Sequence, residues 1–461
     1  MNHDKDIIIV GCGAGGGTAA QFARKTDRKT SITVFEKGKY PQYSKCGLPY
    51  AISGRIPNVM DLIEFSEDWF KKSRIDLLLE ATVEKIDPAK KIVYARKNNK
   101  IIEKSYESLI ICTGAKPSIP PIKNLFVGDK LVDGVFTLRT IDDVESLIPY
   151  VKKGRQVVIV GAGLIGMEMA DNLHECGMRV TIVEALQNIL PNNLDEDMSK
   201  TVLEGLPGDI SVFTNHLVTS VEHDSGRIKK VIIKNNETGE EKTINADLLI
   251  ISTGIKPETK LAEDIGCELG VTGRIKVNNK SETSIKNVYA VGDCTEFVDF
   301  VTKKPVPVGL GSIVVRQGIA AGINAAGGEY SLPQGVLQTA TSDFFGMEIG
   351  TVGPTPASMR NQRYISGKFQ GLSLPEYYPG GKPITIKVFA DEKNGKILGA
   401  QAVGDKAAQR INTFACAILA DMNVETLRKL ETAYAPPVAP TLDVVTLVCD
   451  IVSMKIKRKR Q

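Results

Sequence analysis

No stretch of this 461-residue chain is apolar for long enough to span a bilayer, and neither sign of charge dominates it. The first absence argues against a membrane-spanning helix. The second argues against nucleic acid as a partner, because 58 basic residues face 54 acidic ones for a net charge of +4. The polar start, Met1 to Asp6, runs directly into an apolar segment, so no cleavable export leader is expected and the expected compartment is the cytoplasm. Paired cysteines are missing as well. Cys12, Cys46, Cys112, Cys176, Cys267, Cys294, Cys416 and Cys449 show no metal-ligand spacing and no disulfide framework, so no metal site is expected and a reducing compartment suits them. The composition is that of an α/β protein, 42% hydrophobic and 24% charged, long enough for roughly two to four domains. The basic end, Lys455 to Arg460, reads as a solvated, frayed terminus rather than a docking surface for anions.

Two glycine fingerprints stand out, Gly11-Cys12-Gly13-Ala14-Gly15-Gly16 and Gly161-Ala162-Gly163-Leu164-Ile165-Gly166, 150 residues apart. Each follows an apolar run, Ile7-Ile8-Ile9-Val10 or Val157-Val158-Ile159-Val160, that reads as a buried parallel strand. Glycines there allow a tight turn and a close approach of backbone to a pyrophosphate at a helix N-terminus. Glu36, 20 residues past Gly16, and Glu184, 18 past Gly166, would each end a second strand. A carboxylate at that point accepts hydrogen bonds from ribose hydroxyls. One such motif is a weak signal, but the duplication in full context predicts two dinucleotides on one chain.

The repeat is longer than the motif. The first unit closes with Ile110-Ile111-Cys112-Thr113-Gly114-Ala115-Lys116-Pro117, and the second with Ile250-Ile251-Ser252-Thr253-Gly254-Ile255-Lys256-Pro257. A whole nucleotide-binding domain is therefore duplicated. Val288-Tyr289-Ala290-Val291-Gly292-Asp293 reads as a strand that returns to the first domain, and residues 309–328 as a long helix closing it. Beyond Pro333 the character changes to β-rich segments such as Ile384-Thr385-Ile386-Lys387-Val388-Phe389, with helices near 410–420 and 424–430. That part carries no nucleotide signal.

Taken in order, the paired fingerprints, the Thr-Gly closures, Tyr289-Ala290-Val291-Gly292-Asp293 and the early Cys46 resemble the flavin-dependent pyridine nucleotide disulfide oxidoreductases over essentially the whole chain. The resemblance implies an α/β fold with two Rossmann-like dinucleotide-binding domains and a C-terminal α+β dimerisation domain. Residues 1–115 and 256–330 would bind FAD, residues 116–255 NAD(P)H, and residues 331–461 would form the interface of a homodimer. It places FAD on Gly11, Gly13, Ala14, Gly16, Glu36, Lys37, Val83, Thr113, Gly114 and Asp293. It places the nicotinamide cofactor on Gly161, Gly163, Leu164, Ile165, Gly166, Glu184 and Gly254. Glu184 is followed by Ala185, Leu186 and Gln187, none of them a cation for a 2′-phosphate, so NADH is expected over NADPH, with NADPH possible.

Within the family, cysteine spacing decides the branch. Dithiol members have two cysteines separated by four intervening residues, whereas Cys46 has Pro41 and Ala51 at that spacing. The phrase Tyr43-Ser44-Lys45-Cys46-Gly47-Leu48-Pro49-Tyr50 is similar to the single-cysteine branch of coenzyme A disulfide reductases, NADH oxidases and peroxidases, and persulfide reductases. Tyr377-Tyr378-Pro379-Gly380 and Tyr434-Ala435-Pro436-Pro437 resemble tyrosine motifs of the coenzyme A enzymes, which implies that Tyr378 and Tyr434 act at the cysteine of a second subunit. Ala14 stands where peroxidases carry a histidine, which lowers the peroxidase reading. Thr18, Arg24, Lys25 and Ser44 match the neighbourhood of coenzyme A-binding positions, although Phe22 replaces a polar residue and Lys45 an asparagine.

The chemistry follows from one sulfur. A Cys46 thiolate attacks a substrate disulfide or persulfide, and a substrate that supplies the second sulfur makes a second protein cysteine unnecessary. A helix starting just past Cys46, together with Lys45, is expected to lower the thiol pKa. Glu168 is a candidate for the nicotinamide ribose or merely a first-turn acid. The expected activity is NADH-dependent reduction of coenzyme A disulfide or a related persulfide. The alternatives are an NADH oxidase or peroxidase that cycles through Cys46 sulfenic acid, and a flavin redox sensor or electron-transfer subunit for a protein partner.

Overall fold

A computed structural model describes residues 6–307, 309–359 and 362–461. Of the polar start, residues 1–5 lie outside that description. The chain folds into two Rossmann-like α/β domains and a C-terminal domain built on an antiparallel sheet.

The duplication is visible strand by strand. The first sheet runs in the order Val288–Ala290, Ser108–Ile111, Asp6–Val10, Ser31–Phe35, Asp76–Leu78, all parallel. The second repeats it with Val135–Thr137, Leu248–Ile251, Gln156–Val160, Arg179–Val183 and Ser211–Phe213. Their central strands are apolar on both sides because helices or strands cover both faces. Each domain also carries a three-stranded antiparallel meander, Thr82–Asp87 to Lys100–Ser105 in one and His216–Asp224 to Glu241–Asn245 in the other. The two Lys-Pro phrases are the crossovers between these domains, and they pair with each other. Ala115–Pro117 lies antiparallel to Ile255–Pro257, with Lys116 opposite Lys256.

The strand Val288–Ala290 returns to the first sheet beside Ser108–Ile111, and the helix Gly311–Ala325 then packs on the helix Ala14–Thr26. The crossing is close because it is lined by glycine. A Cβ on Gly318 would stand 2.6 Å from Gly15 O, and one on Gly322 2.3 Å from Ala19 O. In the C-terminal domain the strand order is Ala340–Phe344, Met347–Val352, Ile397–Gly404, Pro383–Asp391, Tyr364–Leu372. The helices Ala407–Leu419 and Val444–Arg460 pack on that sheet.

One feature differs from expectation. The basic end is not frayed: it completes the helix Val444–Arg460, and Lys457 and Lys459 pair with Glu425 and Glu392 at 3.2 and 3.0 Å. Leu48, Ala51 and Ile52, two to six positions beyond Cys46, are buried in the core of the second nucleotide domain with Val157, Met167 and Leu173. Among the described residues no helix is long and apolar enough to cross a membrane.

Candidate active site

The two glycine turns have the same division of labour. Gly11 and Gly161 adopt φ of +102° and +99°, and a Cβ on either would lie within 2.7 Å of a carbonyl oxygen, Cys112 O or Ser252 O. A Cβ on Gly16 or Gly166 would lie about 2 Å from the oxygen of Gly11 or Gly161, so these glycines let helix and strand touch. Gly13 and Gly163 have nothing within 4 Å of that position, which leaves room for a ligand against bare backbone. Ala14 and Leu164 open the two helices, and Ile165 is exposed at the second turn.

The acids are held alike too. Glu36 accepts hydrogen bonds from Cys12 N at 2.7 Å and Gly38 N at 2.8 Å; Glu184 accepts from Ala162 N at 2.7 Å and Leu186 N at 2.9 Å. Each carboxylate is thus fixed at its turn with lone pairs remaining for ribose. Both cradles therefore fit a dinucleotide. Gly114 and Gly254, at φ of +68° and +94°, lie at the crossovers, where Thr113 Oγ1 donates to Glu258 O at 2.5 Å and Ser118 N to Gly254 O at 2.9 Å. Lys37 is exposed beside Glu36, whereas the Val83 side chain is buried in the core with Phe35 and Val93, leaving its backbone as the part able to meet a ligand.

Cys46 sits in the 3-10 turn Lys45–Gly47, ahead of the short helix Leu48–Ile52. Its Sγ lies 3.8 Å from where a Cβ on Gly311 would stand, at the start of the helix Gly311–Ala325. Two residues earlier, the same point on Gly309 is 3.0 Å from Asp293 Oδ1, so Cys46 and Asp293 flank one helix start. Asp293 is paired with Arg139, a residue the sequence reading passed over. The signal was available. Thr140 and Asp143 form a reciprocal capping box, with Asp143 Oδ2 accepting from Thr140 N at 2.8 Å and Arg139 N at 2.7 Å, which places Arg139 just ahead of a helix.

The cleft beside Cys46, about 460 Å³, is lined by Tyr50, Glu168, Thr341, Ser342, Asp343 and Glu348. Glu168 reaches into it from the helix Leu164–Glu175 and accepts from Ser342 Oγ at 2.6 Å. A hollow beside Met422, Thr426 and Leu430 is slightly larger, about 510 Å³, but no cysteine lines it.

The electrostatics correct one expectation. Cys46 and Lys45 both reach solvent, yet burial is the largest influence on the pKa of each. Burial raises the Cys46 thiol pKa, Glu168 raises it further, and Arg139 opposes them. The net direction is upward, opposite to the lowering expected from Lys45 and the following helix. That helix has only five residues, and Lys45 is not among the charges acting on the sulfur. Lys45 responds to the other side of the site: burial, then Arg139, push its ammonium down to about 8, with Glu36 and Asp293 opposing. Burial raises the Glu168 carboxyl as well.

The remaining candidates scatter. Ser44 adjoins Lys45, its N–H bonded to Leu62 O at 2.8 Å. Thr18 is buried against Gly318, and Lys25 lies over the Phe22 ring at 4.5 Å. The Arg24 guanidinium donates to the backbone oxygens of Ser73, Asp27 and Arg74 at 2.9, 3.2 and 2.8 Å, bonds that tie down a loop. Tyr378 and Tyr434 are exposed on the C-terminal domain. Tyr434 Oη meets Tyr377 Oη at 2.7 Å, so within one chain the tyrosine pair is 377 with 434.

Comparison with known proteins fits this geometry. Residues 5–321 match the family described as pyridine nucleotide-disulphide oxidoreductase, and residues 339–444 match that family's dimerisation domain. The chain belongs to this family. A relative from Methanocaldococcus jannaschii named NADH oxidase is 36% identical, the alignment covering 98% of this chain and 99% of the relative. An NAD(P)H sulfur oxidoreductase (CoA-dependent) from Pyrococcus abyssi is 34% identical over 97% of this chain and 98% of its own length. Among solved structures, an NAD-dependent persulfide reductase from A. fulgidus superposes with a TM-score of 0.92 at 32% identity, covering 99% of this chain and 84% of that one. The chain is thus an NAD(P)H-dependent flavoprotein oxidoreductase of the group holding coenzyme A disulfide reductases, NADH oxidases and persulfide reductases.

Proposed function

We propose that the protein uses NADH to reduce coenzyme A disulfide or a related low-molecular-weight persulfide, with Cys46 as its one redox sulfur. The observation that carries this reading is that Cys46 alone among the cysteines lines the cleft, while Cys12, Cys267, Cys294 and Cys449 are buried in cores. With no second cysteine lining it, the other sulfur of any disulfide must come from the substrate. The CoA-dependent activity named for the P. abyssi relative and the persulfide reductase named for the A. fulgidus structure support that substrate class.

In the proposed cycle the Cys46 thiolate attacks one sulfur of RS–SR, forming a Cys46–S–S–R bond and expelling RS⁻, which takes up a proton. FAD, when bound, supplies the relay by which two electrons from NADH reach this sulfur. Cleavage of the mixed disulfide releases a second RS⁻ and restores the thiolate. Gly13 and Glu36 would hold the flavin nucleotide, Asp293 and Arg139 its middle, and Gly163 and Glu184 the NADH. A raised thiol pKa means that Cys46 must lose its proton before attack, and of the three carboxylates lining the cleft, Glu168, Asp343 and Glu348, Glu168 is the one whose charge acts on the sulfur and the one we assign to hold the proton. Two copies pair through the C-terminal domain, and Tyr378 and Tyr434 reach the redox cysteine of the second copy.

Cys46→Ser tests the reading. The variant should retain bound flavin and lose NADH-dependent turnover of coenzyme A disulfide and persulfide; undiminished turnover would refute it. The second reading is an NADH oxidase, the activity named for the M. jannaschii relative. Oxygen uptake that matches NADH consumption with no thiol substrate present would favour it.

A further inference from the structure

The segment that carries Cys46 is held by two domains. Its apolar side, Leu48 and Ile52, packs into the core of the second nucleotide domain. Its polar end closes on the helix Leu164–Glu175. Ser53 Oγ donates to Asn172 Oδ1 at 2.5 Å, and Asn172 Nδ2 donates to Glu168 O at 2.8 Å. Gly54, at φ +80°, turns the chain so that Arg55 falls back on the same helix. There Arg55 NH1 lies 3.0 Å from Asp171 Oδ2, an ion pair by distance without hydrogen-bond alignment, and its Nε lies 2.6 Å from Glu175 Oε2.

Glu168, Asp171, Asn172 and Glu175 fall at i, i+3, i+4 and i+7, so they form one face of the helix. Asp171 and Asn172 are 5% and 0% exposed. A carboxylate so buried requires a cation, and the planar guanidinium can bridge it to the neighbouring Glu175 where an ammonium would meet only one acid well. The nucleotide turn Gly161 to Gly166 leads into the first turn of this helix, and the later turns of the helix anchor the Cys46 segment.

We infer that Arg55 is a positioning residue for Cys46: with Ser53 it pins the segment 45–55 to the nucleotide helix, fixing the sulfur relative to both domains. The inference rests on the redox reading of Cys46. A displacement of about 1 Å at a reacting atom is enough to cost roughly a hundredfold in rate, so a pin at this distance matters to turnover.

The test uses the flavin-loaded enzyme and three variants: R55L, R55K and the double variant R55L/D171N, which leaves no buried charge unpaired and so guards against simple unfolding. R55L and the double variant should lower kcat with the disulfide by about tenfold or more while KM for NADH stays within about twofold. Alkylation of Cys46 by iodoacetamide, followed by mass spectrometry of the tryptic peptide, should accelerate by about fivefold as the segment loosens. R55K, which can meet only one of the two acids, should recover part of both effects. The inference is overturned if the double variant keeps both rates within about twofold of the parent. Turnover surviving in Cys46→Ser would sink the redox reading, while the alkylation rate would still report whether Arg55 pins the segment.

Discussion

Arg139 and Asp293, 154 positions apart, meet as an ion pair with side chains only 20% and 13% exposed. The pair ties the entry to the second nucleotide domain to the last strand of the first. Arg139 Nε is buried with no protein partner, so the guanidinium has a donor left for an anion. Removing the cation leaves Asp293 unpaired and takes that donor away. Arg139→Met should therefore weaken FAD binding by at least about tenfold, the equivalent of ~1.4 kcal/mol. Flavin fluorescence released on dilution measures it, and retention equal to the parent would place Arg139 outside the flavin site.

Lys45 makes a prediction with a definite sign. Its pKa of about 8 in the flavin-free chain means that it is charged below that pH and neutral above it. Lys45 stands among Arg139, Glu36 and Asp293, the residues proposed to hold FAD, and its ammonium favours that anionic cofactor where the free amine does not. FAD affinity of the stripped protein should fall as pH rises through 8, and the step should vanish in Lys45→Met. Stability should move the other way. Between 8 and the ordinary lysine value of about 10.4 the unfolded chain binds the extra proton, so this group makes the flavin-free fold more stable as pH rises. Titration calorimetry and thermal melts across that window read the two trends separately.

Much of this site was legible before folding was considered. The glycines, Glu36 and Glu184 announce themselves because a nucleotide turn is local: strand, turn, helix and acid lie within about 30 residues. Gly13 and Gly163, the positions with open space, are those a pyrophosphate motif requires. The pairing of the two Lys-Pro crossovers was half visible, since their phrases repeat but nothing in them says they meet. What stayed hidden is long-range. Arg139 finds Asp293, and Arg55 finds Asp171, across separations with no sequence period to reveal them. The pKa of Cys46 was misjudged for the same reason, because Glu168 and burial act through space while Lys45 is merely adjacent in the chain.

The second and third domains are fastened by Lys387, which bridges Asp195 at 2.6 Å and Asp197 at 2.5 Å with its side chain 14% exposed. Burial alone would lower the Lys387 pKa, but the two carboxylates outweigh it and raise it. Burial likewise works against the charged form of Asp197, and Lys387 holds its pKa below the usual carboxylate value. The lysine's contribution is present below about 10.4 and lost as pH climbs above it; the Asp197 contribution is present above about 3.9 and lost as pH falls below it. Lys387→Met leaves the half-buried Asp195 without its cation at a domain seam, while Lys368 stays 3.6 Å from Asp197, and should cost about 2 kcal/mol, with the deficit largest between those limits. Urea unfolding of parent and variant at pH 7 and pH 3.5 checks both size and sign.

The proposed preference for NADH rests on Glu184. Its carboxylate is 7% exposed and already anchored by Ala162 N and Leu186 N, so it cannot swing aside for a phosphate. Leu186, 54% exposed, stands where a cation would be needed, and Gln187 turns towards Glu237 at 3.5 Å. A 2′-phosphate would meet a fixed negative charge, and Ala185, Leu186 and Gln187 bring no positive one, whereas a 2′-hydroxyl donates to the carboxylate directly. kcat/KM for NADH should exceed that for NADPH by at least about tenfold at moderate salt, and the gap should shrink as ionic strength screens the repulsion. Leu186→Arg should narrow it mainly through KM for NADPH. Equal efficiency with both cofactors in the parent enzyme would mean that a basic residue from elsewhere reaches this ribose and that Glu184 does not select.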